Sequence, residues 1–105
     1  MTAESSLEGS QQPKFRVRLY VAGSAPNSIA AVANLRAAVA ACPDAHVTIE
    51  IIDVLITPER ALLDGIFVTP MLVRAEPPPE RRVLGRLQDR AMLLAALGLE
   101  EAPRD

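Results

Sequence analysis

Cys42 and His46 are the single cysteine and single histidine of the 105 residues, and thiol, metal and triad chemistry each need more such groups than that. A lone thiol closes no internal disulfide, and Cys42 stands in an Ala-Cys-Pro-Asp stretch that reads as a helix end, so a bland structural or surface thiol is expected. A metal site needs three or four clustered His, Cys or carboxylate ligands, and His46 is expected at a strand edge instead. Ser24 and Ser28 have no histidine and acid in a recognisable arrangement, and no glycine-rich phosphate loop is present. No catalytic residue, metal ligand or cofactor is therefore expected, and the chemistry that remains is recognition. Five of the eleven cations, Arg74, Arg81, Arg82, Arg86 and Arg90, fall in one short stretch, with Glu100, Glu101 and Asp105 behind them. Ten of the eleven are arginine. The guanidinium forms planar bidentate pairs with carboxylates, so this bias suits an acidic protein surface, with a merely solvated face as the alternative.

Charge and composition narrow the partner. A formal net charge of −2 and three aromatic residues in all argue against nucleic acid, whose binders carry a basic face and stacking rings. No apolar run approaches the roughly 20 residues of a membrane span, and the polar stretch from Met1 to Pro13 has no apolar core of a signal peptide. A cytoplasmic protein with no membrane partner is expected. Half of the residues are apolar, enough for one modest core without disulfide or metal. Residues 1–13, rich in Ser, Gln and Glu, read as a disordered tail, 14–99 as the domain and 100–105 as a short C-terminal tail.

The elements that must position these arginines follow from periodicity. Phe15, Val17, Leu19 and Val21 alternate with Arg16, Arg18 and Tyr20, the period of a half-buried strand running to Ala22. After a break at Gly23 to Asn27, Ser28 is placed to cap a helix with apolar positions Ile29, Val32, Leu35 and Val39, ending by Pro43. Val47 to Ile52 is dense in β-branched residues and reads as a second strand. Thr57, Pro58 and Glu59 supply a cap, a first-turn proline and an acid for a short helix closing at Gly65. Met71 to Val73 and Arg82 to Leu84 read as two further strands, separated by Pro77, Pro78 and Pro79, which favour a stiff exposed loop. Asp89 to Leu97 is a helix with a Gly98 stop signal.

Strand, helix, strand, helix, strand, strand, helix (βαβαββα) is a mixed α/β layout, that of thioredoxin-like domains. Such domains open their first helix with Cys-x-x-Cys, where the helix dipole lowers a thiol pKa. Here that place holds Ser24-Ala25-Pro26-Asn27, which forms no disulfide, and Cys42 lies at the far end of the helix. Thr69-Pro70 matches the spot before the third strand where the fold carries a cis proline.

Leu19-Tyr20-Val21-Ala22-Gly23 with Pro26-Asn27-Ser28, then Ile52-Asp53-Val54-Leu55, Thr69-Pro70, Pro77-Pro78-Pro79 and Arg81-Arg82-x-x-Gly85 together resemble the KaiB family of circadian clock proteins, from Phe15 to about Leu99. The resemblance implies a non-enzymatic timing adaptor that binds KaiC, a hexameric ring ATPase, and modulates its phosphorylation or ATPase state. An interaction module for another kinase or ATPase in stress signalling is the alternative. It also implies further partners of the histidine-kinase or KaiA-like kind, and two folds of one sequence: a βαββααβ homotetramer and the thioredoxin-like monomer. Arg74, Arg81 and Arg82 match basic positions expected to contact the partner. Arg86 stands where the family usually has an acid, and Ala30 and Ala31 where it offers a cation. Ala96 replaces a usual glycine, and no Val, Ile, Thr, Phe or Tyr occurs from Gln88 onward. Both features favour the terminal helix and a monomeric thioredoxin-like resting state.

Overall fold

The computed structural model describes residues 14–102; the expected tail at 1–13 and the last three residues lie outside them. Seven elements follow one another as β1 (Lys14–Val21), α1 (Pro26–Ala40), β2 (His46–Asp53), α2 (Pro58–Leu63), β3 (Met71–Glu76), β4 (Arg81–Leu84) and α3 (Arg90–Leu97). This is the βαβαββα order read from the sequence. The strands form one sheet in the order β2-β1-β3-β4, with β1 parallel to β2 and antiparallel to β3, and β4 antiparallel to β3.

The alternation along β1 divides the sheet into two faces. Phe15, Val17, Leu19 and Val21 pack with Leu72 of β3 against α1 and α3, which contribute Ala31, Leu35, Ala38, Leu93, Leu94 and Leu97. Tyr20, Ile52 and Val73 face the other way, onto Ala61 of α2 and Ile66. The six-residue α2 covers only part of that second face, which leaves Lys14, Arg16, His46, Thr48 and Glu50 exposed along its remainder.

Two local expectations are corrected. Helix α1 begins at Pro26, after Ala25, with no side-chain cap. Ser28 lies inside its first turn, 2% exposed, and its hydroxyl accepts a hydrogen bond of 3.0 Å from the Ala22 amide. The helix is rotated accordingly: Ser28, Ala31, Leu35 and Ala38 form its buried stripe, while Ile29 is exposed. A proline that starts a helix without needing a donor makes a hydroxyl cap dispensable, and the same holds at α2, where the expected cap Thr57 precedes Pro58 without capping and its hydroxyl donates to the Asp53 carbonyl at 3.4 Å. Second, β3 runs on through Arg74 to Glu76, beyond the Val73 end expected.

Helix α3 carries the caps its sequence calls for. The Asp89 carboxylate accepts from the Met92 amide at 3.0 Å, and Gly98 takes the left-handed conformation at φ 81°. Beyond it Leu99 is buried, the Ala102 amide donates to the Ala41 carbonyl at 3.1 Å, and Arg90 pairs with Glu101. Residues 100–102 thus lie against the domain.

Candidate functional site

Topology gathers four connections at one end of the sheet. Parallel β1 and β2 both end there, at Val21 and Asp53, while antiparallel β3 begins there at Met71 and β4 ends there at Leu84. The connections are held together by short polar contacts. Asp53 Oδ1 accepts from the amides of Gly23 and Leu55, at 3.0 and 2.9 Å, so one carboxylate fixes the loops after β1 and β2. Gly23 has φ +54°, and a Cβ there would stand 3.1 Å from Leu55 Cδ1, so glycine answers both the backbone and the space. The Thr69–Pro70 bond is cis, and the Pro70 carbonyl accepts from the Gly85 amide at 2.9 Å.

What this end presents to solvent is apolar. Ile29, Leu55, Ile56, Phe67, Val68 and Leu84 are all more than half exposed, Phe67 at 84%. Leu62 and Leu63 extend the apolar surface along the outer side of α2. Single exposed apolar residues are ordinary, but a concentration of large ones at one end of a small domain marks a place where another surface is covered. The sequence marks none of these residues as part of a binding surface. Leu55-Ile56 and Phe67-Val68 lie in connections, where no period assigns a face. Their one legible signal is that they are apolar pairs with no strand or helix to bury them.

The arginines divide into three cases. Arg82 lies on the α2 side of the sheet, where Nη2 meets Asp64 Oδ1 at 2.8 Å and Nε meets Glu80 Oε2 at 2.7 Å; its side chain remains 34% exposed. Asp64, at the end of α2, also receives Tyr20 Oη at 2.7 Å and Arg18 Nη2 at 3.1 Å. Burial alone would push the Asp64 carboxyl up, but the hydrogen bonds from Tyr20 and Arg18 and the charges of Arg18 and Arg82 hold it below the usual carboxylate range. Burial, reinforced by the bond to Asp64, pushes the Tyr20 hydroxyl up. Arg81, the neighbour of Arg82 along an extended strand, projects to the opposite side of the sheet; it is exposed and has no ion pair among the described residues.

Arg74 departs from the expectation that it meets a partner. It is 8% exposed, with Nη1 donating to the carbonyls of Ala96 and Leu97 at 3.3 and 3.2 Å and Nη2 to that of Pro79 at 2.6 Å. A buried cation at a helix C-terminus is balanced by unsatisfied carbonyls and by the helix dipole. Its place in the fold is internal: it fastens α3 and the proline turn to β3. Pro77 follows a second cis bond and Pro79 a third, and the turn places Pro78 and Pro79 in solvent.

The groups singled out for chemistry stay apart. Cys42 is buried beyond the C-terminus of α1, and burial, with Glu101 nearby, pushes its thiol up, away from the reactive thiolate. His46 is exposed at the first residue of edge strand β2. Among the described residues no group of three or more His, Cys, Asp or Glu side chains is placed to hold a metal ion, and no helix is long and apolar enough to cross a membrane.

The fold is also that of solved thioredoxin-system proteins. Mitochondrial thioredoxin 3 from Saccharomyces cerevisiae superposes with a TM-score of 0.66 over 91% of this chain and 87% of its own, at 18% identity. A chain from a structure describing thiol resolution in yeast mitochondrial 1-Cys peroxiredoxin gives 0.67 over 93% and 88%, at 19%. Kinship in sequence lies elsewhere. Circadian clock oscillator protein KaiB of Prochlorococcus marinus is 39% identical over 90 residues, 86% of this chain and 77% of that protein. KaiB of Gloeothece citriformis is 39% identical over 85 residues, 81% and 80% of the two chains. The family model described as the KaiB domain matches residues 18–99, which run from the middle of β1 to just past α3 and include every connection of the apolar end. With the family's sequence carried on a thioredoxin-like frame whose Cys-x-x-Cys place reads Ser24-Ala25-Pro26-Asn27, the chain belongs to the KaiB family.

Proposed function

We propose that this protein is a non-enzymatic, cytoplasmic timing adaptor that binds a KaiC-type hexameric ATPase and modulates its phosphorylation or ATPase state. The observation that carries the reading is the exposed apolar end of the sheet, with Arg81 and Arg82 exposed at the start of β4, in a chain of the clock family. Apolar surface there supplies the non-directional part of the binding energy, and arginine forks supply register on an acidic partner. Arg81 is the cation best placed to pair with a partner's carboxylate, because no described group competes for it. Arg82 acts differently. Held by Asp64 and Glu80, it is ordered in advance, so less side-chain entropy is lost on docking. Arg74 supports the surface from within. The domain spans 14–99 and works as a monomer without cofactor, while an acidic face on a histidine kinase or a KaiA-like protein is the second kind of partner this surface suits.

The test is the affinity of purified protein for the KaiC-type ATPase of the same genome, by biolayer interferometry at two ionic strengths. Arg81→Glu should weaken binding by about thirtyfold, equivalent to ~2 kcal/mol of repulsion replacing attraction. Higher salt should slow association of the unmodified protein. Unchanged affinity in a folded Arg81→Glu protein would mean that this arginine is merely solvated.

A further inference from the structure

We propose that the opposite end of the open sheet face, where β1 and β2 begin, binds the phosphate groups of a soluble polyphosphate anion. The parallel register sets Lys14 beside His46 and Arg16 beside Thr48. Residues two apart on a strand share a face at roughly 7 Å, and neighbouring strands lie about 5 Å apart. Four donors therefore occupy a rectangle of that size, lining a groove of about 460 Å³ closed on its third side by Glu76 of β3.

Charge along this face is handled in two ways. Toward the other end, Arg18 is bound to Asp64, and Glu50 receives a two-pronged pair from Arg60 at 2.9 and 3.1 Å. In the groove, the side chains of Lys14, Arg16, His46 and Thr48 have no hydrogen bond or ion pair among the described residues, and all four residues are exposed. Two fixed cations, an imidazole and a hydroxyl can each donate a hydrogen bond to a multiply charged oxyanion. The lining contains no Phe, Tyr, Trp or aliphatic side chain, so a nucleobase has only the His46 imidazole and the Arg16 guanidinium to stack on, and the phosphate contacts carry the recognition. Glu76 opposes any anion, but two fixed cations against one carboxylate leave a net attraction that grows with the charge the anion carries.

Backbone NMR titrations of the full chain at low ionic strength, with pyrophosphate, tripolyphosphate and ATP as probes, test this. Saturable shifts centred on Lys14 to Arg16 and His46 to Thr48 are expected, with tripolyphosphate and ATP binding alike. Lys14→Gln with Arg16→Gln should weaken binding at least tenfold, Glu76→Gln should tighten it several-fold, and Arg81→Gln should leave it unchanged. All of these residues are exposed, so the dispersion of the spectrum serves as the check that each variant is folded. Shifts that fail to saturate, that centre on another surface, or that survive the Lys14 and Arg16 changes would overturn the proposal. Because the groove and the apolar end are at opposite ends of the sheet, either can fail without the other.

Discussion

At Asp64 one carboxylate answers a phenol and two guanidinium groups drawn from β1 and β4, and so joins α2 to both strands. Because its pKa is held below the unfolded value, the stabilisation it gives is fully present at neutral pH and is lost as pH falls through the carboxylate range. Asp64→Asn should therefore cost about 1–2 kcal/mol at pH 7. The gap from the unmodified protein should narrow below about pH 4. Urea denaturation at a series of pH values checks this, and a gap that stays constant down to the lowest pH would show that the charge of Asp64 contributes nothing. The arginine cluster was legible in the sequence, but the fate of each member was not. Arg74, Arg81 and Arg82 read alike as cations, and only the packing of α3 against β3 puts the first inside, on three carbonyls. Alternation along β4 then sends the other two to opposite faces.

Helix α3 concentrates local signals that agree with one another: an aspartate cap, a run of Ala and Leu, and a left-handed glycine stop. Agreement of this kind favours one conformation over its competitors. At Gly98 a Cβ would meet Arg74 Nη1 at 3.3 Å in addition to the strain of φ +81°. Gly98→Ala should thus cost about 1 kcal/mol or more, while Ala96→Gly should cost about 1 kcal/mol through propensity alone. Thermal unfolding followed by circular dichroism, with hydrogen exchange of the α3 amides, checks both, and unchanged protection in Gly98→Ala would contradict the cap. These caps were readable because each is a contact within a few residues of chain. The start of α1 was misread for the complementary reason. Ser28 looks like a cap by position, yet its hydroxyl turns toward the loop at Ala22 once Pro26 has opened the helix. Strand periods were readable wherever one face meets the core. The β3 extension was hidden because a buried arginine breaks the apolar pattern at Arg74.

Across the whole molecule, one end of the sheet is apolar and the other cationic, with a thioredoxin-like frame between them. The element order was legible because strands and helices alternate with clear breaks, whereas the apolar end was not. Leu55, Ile56, Phe67 and Val68 come from connections distant in sequence, and only the sheet order brings them to one place. Under the proposed function, the residues that this small domain keeps in solvent are one half of an interface. The most direct measurement is an NMR titration of the labelled chain with the unlabelled KaiC-type hexamer, read as loss of intensity residue by residue. Losses should concentrate at Leu55, Ile56, Phe67, Val68, Leu84 and Arg81, and Phe67→Ser should weaken the effect at least tenfold without changing the free spectrum elsewhere. Losses confined to the outer face of α1 or to β2, or none at all at saturating hexamer, would contradict this interface.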